Sequence, residues 1–72
     1  MENKTAEDLA LAIKSLPDEQ RQAFIMRDAM NMDYADIAKQ LGVSLGKVKT
    51  DIFRAREALR KKLQPSRDSV GV

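Results

Sequence analysis

Apolar residues recur every three to four positions along much of this 72-residue chain. The spacing is most regular near the C-terminal end, where it predicts one helix of roughly 18 residues, or about 27 Å. The apolar residues of this helix are Val48, Ile52, Ala55, Leu59 and Leu63. A shorter segment before it has the same spacing, with Tyr34, Ile37, Ala38 and Leu41. Each pattern predicts an amphipathic helix that buries one side against the rest of the protein.

Capping and turn residues separate these two predicted helices. Asp33 lies where it can cap the shorter helix, and Gly42 lies where that helix is expected to end in a left-handed residue. Ser44 can cap the longer helix, with Val43 and Val48 packing against each other across the cap. A short helix, a glycine-containing turn and a long helix make a helix-turn-helix, whose second helix enters the major groove in DNA-binding proteins.

Two further helices are predicted before the helix-turn-helix. The first covers about residues 6–15, and Thr5 with Asp8 can form a capping box at its start. Pro17 ends this helix and suits the first position of the next one, which reaches about residue 29. The first helix is expected to turn one side inward, with Ala6, Leu9, Ala10 and Ile13. The second is expected to bury Ala23, Phe24, Met26 or the stem of Arg27, and Met30.

The four predicted helices define an all-α fold. We expect a four-helix bundle that ends in a helix-turn-helix with a long C-terminal recognition helix. One domain is expected over residues 5–63. Residues 1–4 are expected to be a flexible N-terminus, and residues 64–72 a disordered C-terminal tail.

Composition removes most kinds of active site. The chain has no Cys and no His, which excludes disulfides, the common zinc sites and any nucleophile–histidine pair. No catalytic residue, metal ion or cofactor is therefore predicted, and we do not expect an enzyme. No apolar run approaches the roughly 18 residues of a membrane span, so a cytoplasmic protein with no membrane partner is expected.

The charge is unevenly distributed between the two halves of the chain. Residues 1–41 contain five Lys or Arg and eight Asp or Glu, a balance of −3. Residues 42–72 contain eight Lys or Arg and three Asp or Glu, a balance of +5. An excess of positive charge on the half that holds the longest helix predicts a polyanionic partner for that half and a different kind of partner for the acidic first half.

The polar side of the long helix carries the candidate DNA contacts. With the apolar residues turned inward, the residues turned outward are Lys47, Lys49, Thr50, Phe53 and Arg54, followed by Arg56, Arg60 and Lys61. Long basic side chains can reach phosphates or guanine edges, and Thr50 and Phe53 can contact a thymine methyl group. The alternative to a DNA-binding surface is an ordinary solvated side of a helix, and the alternative to an exposed Phe53 is a Phe53 that belongs to the core. The combination of the capped short helix, Gly42 and this basic side favours DNA binding.

Residues 16–63 carry motifs of a known family: LPDEQR at 16–21, Phe24 with Met26-Arg27, MDYADIAKQLG at 32–42 and GKVKTDIFRAREALRKKL at 46–63. This stretch resembles region four of bacterial sigma factors, the promoter-recognition domain, particularly that of the extracytoplasmic-function group. The resemblance implies a monomer that binds the −35 element of double-stranded promoter DNA. It also implies docking on the RNA polymerase core through the beta-subunit flap, and earlier helices that an anti-sigma factor can cover.

The resemblance carries base and phosphate contacts over to Lys49, Thr50, Phe53 and Arg54, with Lys47 and Arg56 at nearby backbone positions. Two residues depart from the family pattern, because Lys47 stands at a usual Thr and Asp51 at a usual Arg. A carboxylate at position 51 would repel phosphates or accept a hydrogen bond from a cytosine amino group. The promoter-melting domain is not among these residues, which suggests either a fragment of a longer sigma factor or a free-standing adaptor or decoy.

Two other functions remain open from the sequence. One is a helix-turn-helix regulator of the response-regulator output type, which shares much of the motif and would act as a dimer on two half-sites. The other is a protein-interaction module that binds an anti-sigma factor or polymerase with weak or no DNA binding. Asp51, a carboxylate on the recognition helix, is the feature that supports the second alternative.

Overall fold

Four helices follow one another in the computed structural model, which describes residues 6–63. In chain order they are α1 (Ala6–Lys14), α2 (Asp18–Phe24), α3 (Tyr34–Leu41) and α4 (Leu45–Leu63). Helix α2 continues directly into a π-helical segment, Ile25–Ala29. The all-α prediction is confirmed, and α4, with 19 residues, is close to its predicted length. The capping role of Thr5 and the two predicted tails lie outside the described residues.

Helix α4 lies at the centre of the core, because the other helices pack along its apolar side. The first buried cluster joins α1 and the following turn to the C-terminal half of α4, through Ala12, Leu16, Ala55 and Leu59. The second cluster joins α2 and α3 to its N-terminal half, through Ala23, Ile37, Val48 and Ile52. The prediction that the apolar residues of the long helix face the core is therefore confirmed. Leu63, at the end of the helix, is half-buried.

The buried side of α1 differs from the prediction. Ile13 packs against the first cluster as expected, but Leu9 and Ala10, predicted to face the core, are exposed. Helix α1 contacts the core through Ala12 and, just beyond its end, Leu16. Leu9 is seven positions before Leu16 and lies on nearly the same side of the helix. Its exposure shows that only the C-terminal part of this side is covered by the core.

Arg21 stabilises the turn between α1 and α2. Its guanidinium donates to the carbonyl oxygen of Leu16 at 3.1 Å and to that of Lys14 at 3.5 Å. It also pairs with the Asp18 carboxylate at 2.6 Å. Carbonyls at a helix C-terminus have no partner within the helix, so a cation that bonds them acts as a cap. Pro17 is the N-cap of α2, one position before the helical residue that was predicted for it.

The π-helical segment changes which residues face the core after α2. Within this wider turn the Met30 amide donates to the Ile25 carbonyl at 3.1 Å, and Asn31 then has a positive φ of 63°. Met30, predicted to be buried, is 60% exposed, because an extra residue in one turn rotates the side chains that follow it. The other predicted core residues pack inward: Ala23 is buried, and Phe24 and Met26 are half-buried against the two clusters.

The turn of the helix-turn-helix has the predicted geometry. Gly42 has a φ of 70°, in the left-handed region, and the Val43 amide bonds back to the carbonyl five residues earlier at 3.0 Å. The Ser44 hydroxyl accepts a hydrogen bond from the Lys47 amide at 3.1 Å, so the predicted cap of α4 is confirmed. Asp33 occupies the N-cap position of α3, but the predicted capping bond is wrong: its exposed carboxylate makes none, and water can solvate it there.

We expect Gly42→Ala to lower the free energy of unfolding by about 1–2 kcal/mol, because a Cβ atom disfavours the left-handed conformation. No heavy atom lies within 4 Å of a Cβ built at Gly42, so the loss reports backbone conformation alone. Gly46→Ala is the matched control, since Gly46 is helical and equally open. The control is expected to raise the free energy by about 0.5–1 kcal/mol. Urea unfolding followed by circular dichroism measures both, and equal effects would contradict the left-handed turn.

Candidate nucleic-acid interface

The candidate interface is the open side of α4. Burial of Val48 and Ile52 fixes the orientation of this helix, so the residues on its opposite side point to solvent. The residues at that side are Lys49, Thr50, Phe53 and Arg54, and all four are exposed. Phe53 is 64% exposed, so the alternative that it belongs to the core is wrong.

Thr50 and Phe53 form a central strip along this open side. They are three positions apart and are therefore neighbours on the helix surface. Gly46, one turn before Thr50, continues the strip without a side chain. Glu57, four positions after Phe53, pairs with Arg60 at 2.6 Å and places a carboxylate on the same side. The surface of this side that suits a polyanion therefore lies before Glu57.

Four cations flank the central strip along two edges. Lys49 and Arg56 are seven positions apart and lie on one edge, while Lys47 and Arg54, also seven apart, lie on the other. The first turn of α4 contains no acidic residue. The helix dipole adds partial positive charge at that end. The start of α4 therefore has a basic side chain on each side of Thr50, Lys49 on one and Lys47 on the other.

Lys47 is already bound to two carboxylates in this structure. Its Nζ lies 2.9 Å from Glu19 Oε1 and 3.1 Å from Asp51 Oδ2. Hydrogen bonds to Glu19 and then to Asp51 raise the pKa of Lys47 above its ordinary value. The ammonium therefore stays charged at neutral pH, and it ties the start of α4 to α2.

Asp51 does not lie on the open side of α4, contrary to the prediction that its carboxylate would face phosphates or a cytosine. Only 8% of the residue is exposed. It lies next to a shallow pocket of about 100 Å³ that Glu19 and Leu41 also line. One residue after Thr50 is about 100° further around the helix, which turns Asp51 toward α2. The i, i+4 spacing to Lys47 was the sequence signal for this ion pair.

Arg56 also has a carboxylate partner from the first half of the chain. Its Nη2 lies 2.5 Å from Asp28 Oδ1, in the π-helical segment. The hydrogen bond to Asp28 raises the pKa of the Arg56 guanidinium above its ordinary value, against a smaller opposing effect of desolvation. This contact ties the edge of Lys49 and Arg56 to the segment that follows α2.

Tyr34, the first residue of α3, lies close to two cations. The guanidinium carbon of Arg27 is 4.8 Å from the centre of the Tyr34 ring, and Lys49 Nζ is 6.0 Å from it. Such cation–π contacts are favourable and orient the side chains. Arg27 also donates to the Met32 carbonyl at 2.8 Å, which holds the chain just before α3. Sequence reasoning gave Arg27 no role at this surface, because no spacing rule connects it to Tyr34 across the turn at Asn31.

Lys49 and Arg54 differ from the other two flanking cations. Within residues 6–63, neither makes an ion pair with a carboxylate. In the same part of the chain, no group of three acidic, Cys or His residues could hold a metal ion. None of the described helices is long and apolar enough to cross a membrane. As far as residues 6–63 show, the site thus offers two cations without a carboxylate partner, a hydroxyl and an aromatic ring on one helix side.

The fold and this surface define a class of protein, a helix-turn-helix domain with an open and basic recognition helix. The family model for sigma-70 region 4 matches residues 6–59, which is more than half of the chain. The chain therefore belongs to the sigma-70 region 4 family, and the resemblance seen in its motifs is confirmed.

Named relatives agree with this family. The chain is 43% identical over 53 residues to the RNA polymerase sigma-H factor of Pseudomonas aeruginosa. It is 42% identical over 53 residues to the ECF RNA polymerase sigma-E factors of Escherichia coli and Salmonella typhi. Each match covers 74% of this chain and 28% of the relative, so the chain spans a little over a quarter of the length of these proteins.

Proposed function

We propose that this chain is the promoter-recognition domain of a sigma factor, which binds the −35 element through α4 and docks on RNA polymerase to direct transcription initiation. The observation that carries the proposal is Phe53, which stands in solvent between Lys49 and Arg54 on a helix whose other side is sealed by the core. Single exposed apolar side chains are common on protein surfaces, but this ring lies between two basic side chains on a recognition helix, where a base edge can cover it.

The proposed base contacts come from the central strip and the two unpaired cations. Arg54 has a planar guanidinium that can bond the O6 and N7 atoms of one guanine in the major groove. The Thr50 and Phe53 side chains can pack on a thymine methyl group. Lys49, on the opposite edge from Arg54, can reach a base edge or the backbone of the facing strand.

Lys47 and Arg56 are the proposed phosphate contacts beside the groove. Both have long cationic side chains, and both lie at the margins of the open side rather than at its centre. Phosphate contacts of this kind set the position of a protein on the duplex without reading sequence. Each of the two must share its present carboxylate partner with the phosphate or exchange one for the other.

The first three helices are the proposed protein-binding side of the domain. They lie on the sealed side of α4, so they remain accessible while α4 occupies a groove. Large apolar residues exposed in this part of the chain are Leu9 and Leu11 in α1 and Met30 just after the π-helical segment. Apolar residues of this size outside the core are compatible with a protein partner. The proposed partners are the beta-subunit flap of RNA polymerase and, as a competitor for the same side, an anti-sigma factor.

Titration of a −35-type duplex at several salt concentrations tests the proposal directly. With two to four cations on phosphates, the slope of log K against log salt is expected to be about −2 to −4. A scrambled duplex of the same length and composition is the control, and it should bind more weakly at every salt concentration. Binding that ignores salt, or that is undetectable at low ionic strength, would refute DNA recognition.

The two alternative functions are weaker than the proposed one. The interaction-module alternative drew its support from Asp51, and that carboxylate is buried and paired with Lys47. The response-regulator alternative requires a dimer on two half-sites. Sedimentation of the chain with and without duplex separates it from the proposed monomer, because a stable dimer would favour the response-regulator type.

A further inference from the structure

Two carboxylates from the acidic first half reach across the fold to cations of α4. Glu19 in α2 bonds Lys47, and Asp28 in the π-helical segment bonds Arg56. Each pair joins residues that are 28 positions apart in the chain. Neither contact is needed to satisfy a buried charge, because all four side chains keep substantial access to solvent.

The pairing divides the four flanking cations in a regular way. On the edge of Lys49 and Arg56, only Arg56 has a carboxylate partner within residues 6–63. On the edge of Lys47 and Arg54, only Lys47 has one. Each edge therefore has one paired cation and one unpaired cation. The paired cations are the proposed phosphate contacts, and the unpaired cations are the proposed base-reading residues.

We propose that Glu19 and Asp28 act as internal substitutes for phosphate, which weaken sequence-independent DNA binding and so make recognition depend on Lys49 and Arg54. Carboxylate and phosphate oxygens accept the same charge-assisted hydrogen bonds from Lys and Arg. A cation that already holds a carboxylate contributes less when a phosphate arrives, because one favourable contact replaces another. Lys49 and Arg54 have no carboxylate partner within residues 6–63 to exchange for a contact with DNA. This inference rests on the proposed DNA binding, and it adds a role for two residues of the first half.

Asp28 could instead assist phosphate binding by Arg56, and the two roles predict opposite effects of removing its charge. If Asp28 served to aim the guanidinium of Arg56 at a phosphate, then its removal would weaken DNA binding. If Asp28 competes with phosphate, then its removal strengthens binding to any duplex. The sign of the change therefore separates the two roles.

The test uses the full chain, the isosteric substitution Asp28→Asn and a random-sequence duplex, with anisotropy measured over a salt series. Freeing one cation should steepen the salt slope by up to about 0.9 and tighten binding roughly 3- to 8-fold at 0.1 M salt. Glu19→Gln should give a smaller gain, since Asp51 still holds Lys47. Unchanged or weaker binding by Asp28→Asn would overturn the proposal.

Asp18→Asn is the matched control, because it removes the same charge from another Asp–Arg pair. Its partner Arg21 bonds carbonyls at the end of α1 and does not lie on α4. We expect the affinity of Asp18→Asn for the random duplex to change less than twofold. If Asp18→Asn and Asp28→Asn gained affinity equally, the cause would be net charge, and the proposal would be overturned. The gain from Asp28→Asn should also vanish in an Arg56→Ala background, and a gain that persists there would overturn it as well.

Two readouts keep this inference separate from the proposed function. Binding to the random duplex reports on the carboxylate partners, while the preference for the −35 duplex over the random one reports on promoter recognition. If Asp28→Asn bound the random duplex more tightly but no variant preferred the −35 duplex, the inference would be supported and the proposed function would be refuted. Circular dichroism checks that each variant folds. If Asp28→Asn loses its helical signal, the test is the affinity of Glu19→Gln for the random duplex, and unchanged or weaker binding by that variant would overturn the inference. Absence of binding by every folded variant would overturn both proposals.

Discussion

Replacing Ile52 by Ala is expected to lower the free energy of unfolding by about 2–5 kcal/mol, the usual loss for a buried Ile in a packed core. Ile52 is 2% exposed and belongs to the cluster that joins α2 and α3 to α4. A single core of this size supplies only about 3–5 kcal/mol of net stability. The variant should therefore populate the unfolded state to a large extent, which urea unfolding followed by circular dichroism measures.

The next residue in the chain supplies the control for this experiment. Phe53 is larger than Ile52, but it is 64% exposed on the opposite side of α4. We expect Phe53→Ala to change the free energy of unfolding by no more than about 0.5 kcal/mol, while it weakens binding to a −35-type duplex. A loss of stability for Phe53→Ala that matched the loss for Ile52→Ala would show that both sides of α4 pack against the protein.

One side of helix α4 thus serves folding, and the other side is free to serve recognition. Val48, Ile52 and Ala55 hold the bundle together, and no residue of the central strip takes part in that core. Substitutions in the strip can therefore change the DNA sequence that is read at little cost in stability. The same separation explains why the sequence predicted this helix well, since one periodic pattern specifies the buried side and leaves the other side to function.

Local rules predicted much of the fold that depends on neighbouring residues, although the capping bond of Asp33 is absent. Gly42 is left-handed and Ser44 caps α4, as their positions in the chain indicated. The exposure of Lys49, Phe53 and Arg54 followed from the same periodicity. Each of these features depends on contacts within about five residues, a range in which helix geometry determines which groups meet.

Several of the features that the sequence did not predict depend on a backbone irregularity or on distant contacts. The π-helical segment adds a residue to one turn and so exposes Met30, and no pattern of apolar residues indicates such a turn. The pairs of Lys47 with Glu19 and of Arg56 with Asp28 each join residues 28 positions apart. Whether two such residues meet depends on how whole helices pack together. The spacing of apolar residues within one helix does not predict that packing.

The unequal charge of the two halves has a structural consequence that the totals alone did not show. The acidic first half was expected to serve a different partner from the basic second half. In the fold, two of its carboxylates instead contact the basic helix and hold two cations at the margins of the open side. The charge available to a duplex is therefore smaller than the balance of +5 over residues 42–72 suggests, and Lys49 and Arg54 carry it beside the central strip.

Substitution of Arg54 by Ala should have the largest effect on sequence recognition. Arg54 is exposed and has no carboxylate partner within residues 6–63, so its guanidinium is free to bond a guanine edge. Loss of a bidentate contact is expected to reduce discrimination at one base pair by about 1–3 kcal/mol. Competition with duplexes that each carry one altered base pair of the −35 element would locate the position that loses its preference.

Two further variants determine what kind of contact Arg54 makes. Arg54→Lys keeps the positive charge but loses the planar pair of donors, so it should retain binding strength and still lose the preference. Arg60→Ala removes an arginine from the same helix, but Arg60 pairs with Glu57 beyond the central strip, so the preference should survive. If Arg54→Ala instead weakened binding equally for every duplex in the panel, Arg54 would be a phosphate contact. Base reading would then depend on Lys49, Thr50 and Phe53, and the same panel applied to those residues would identify which of them carries it.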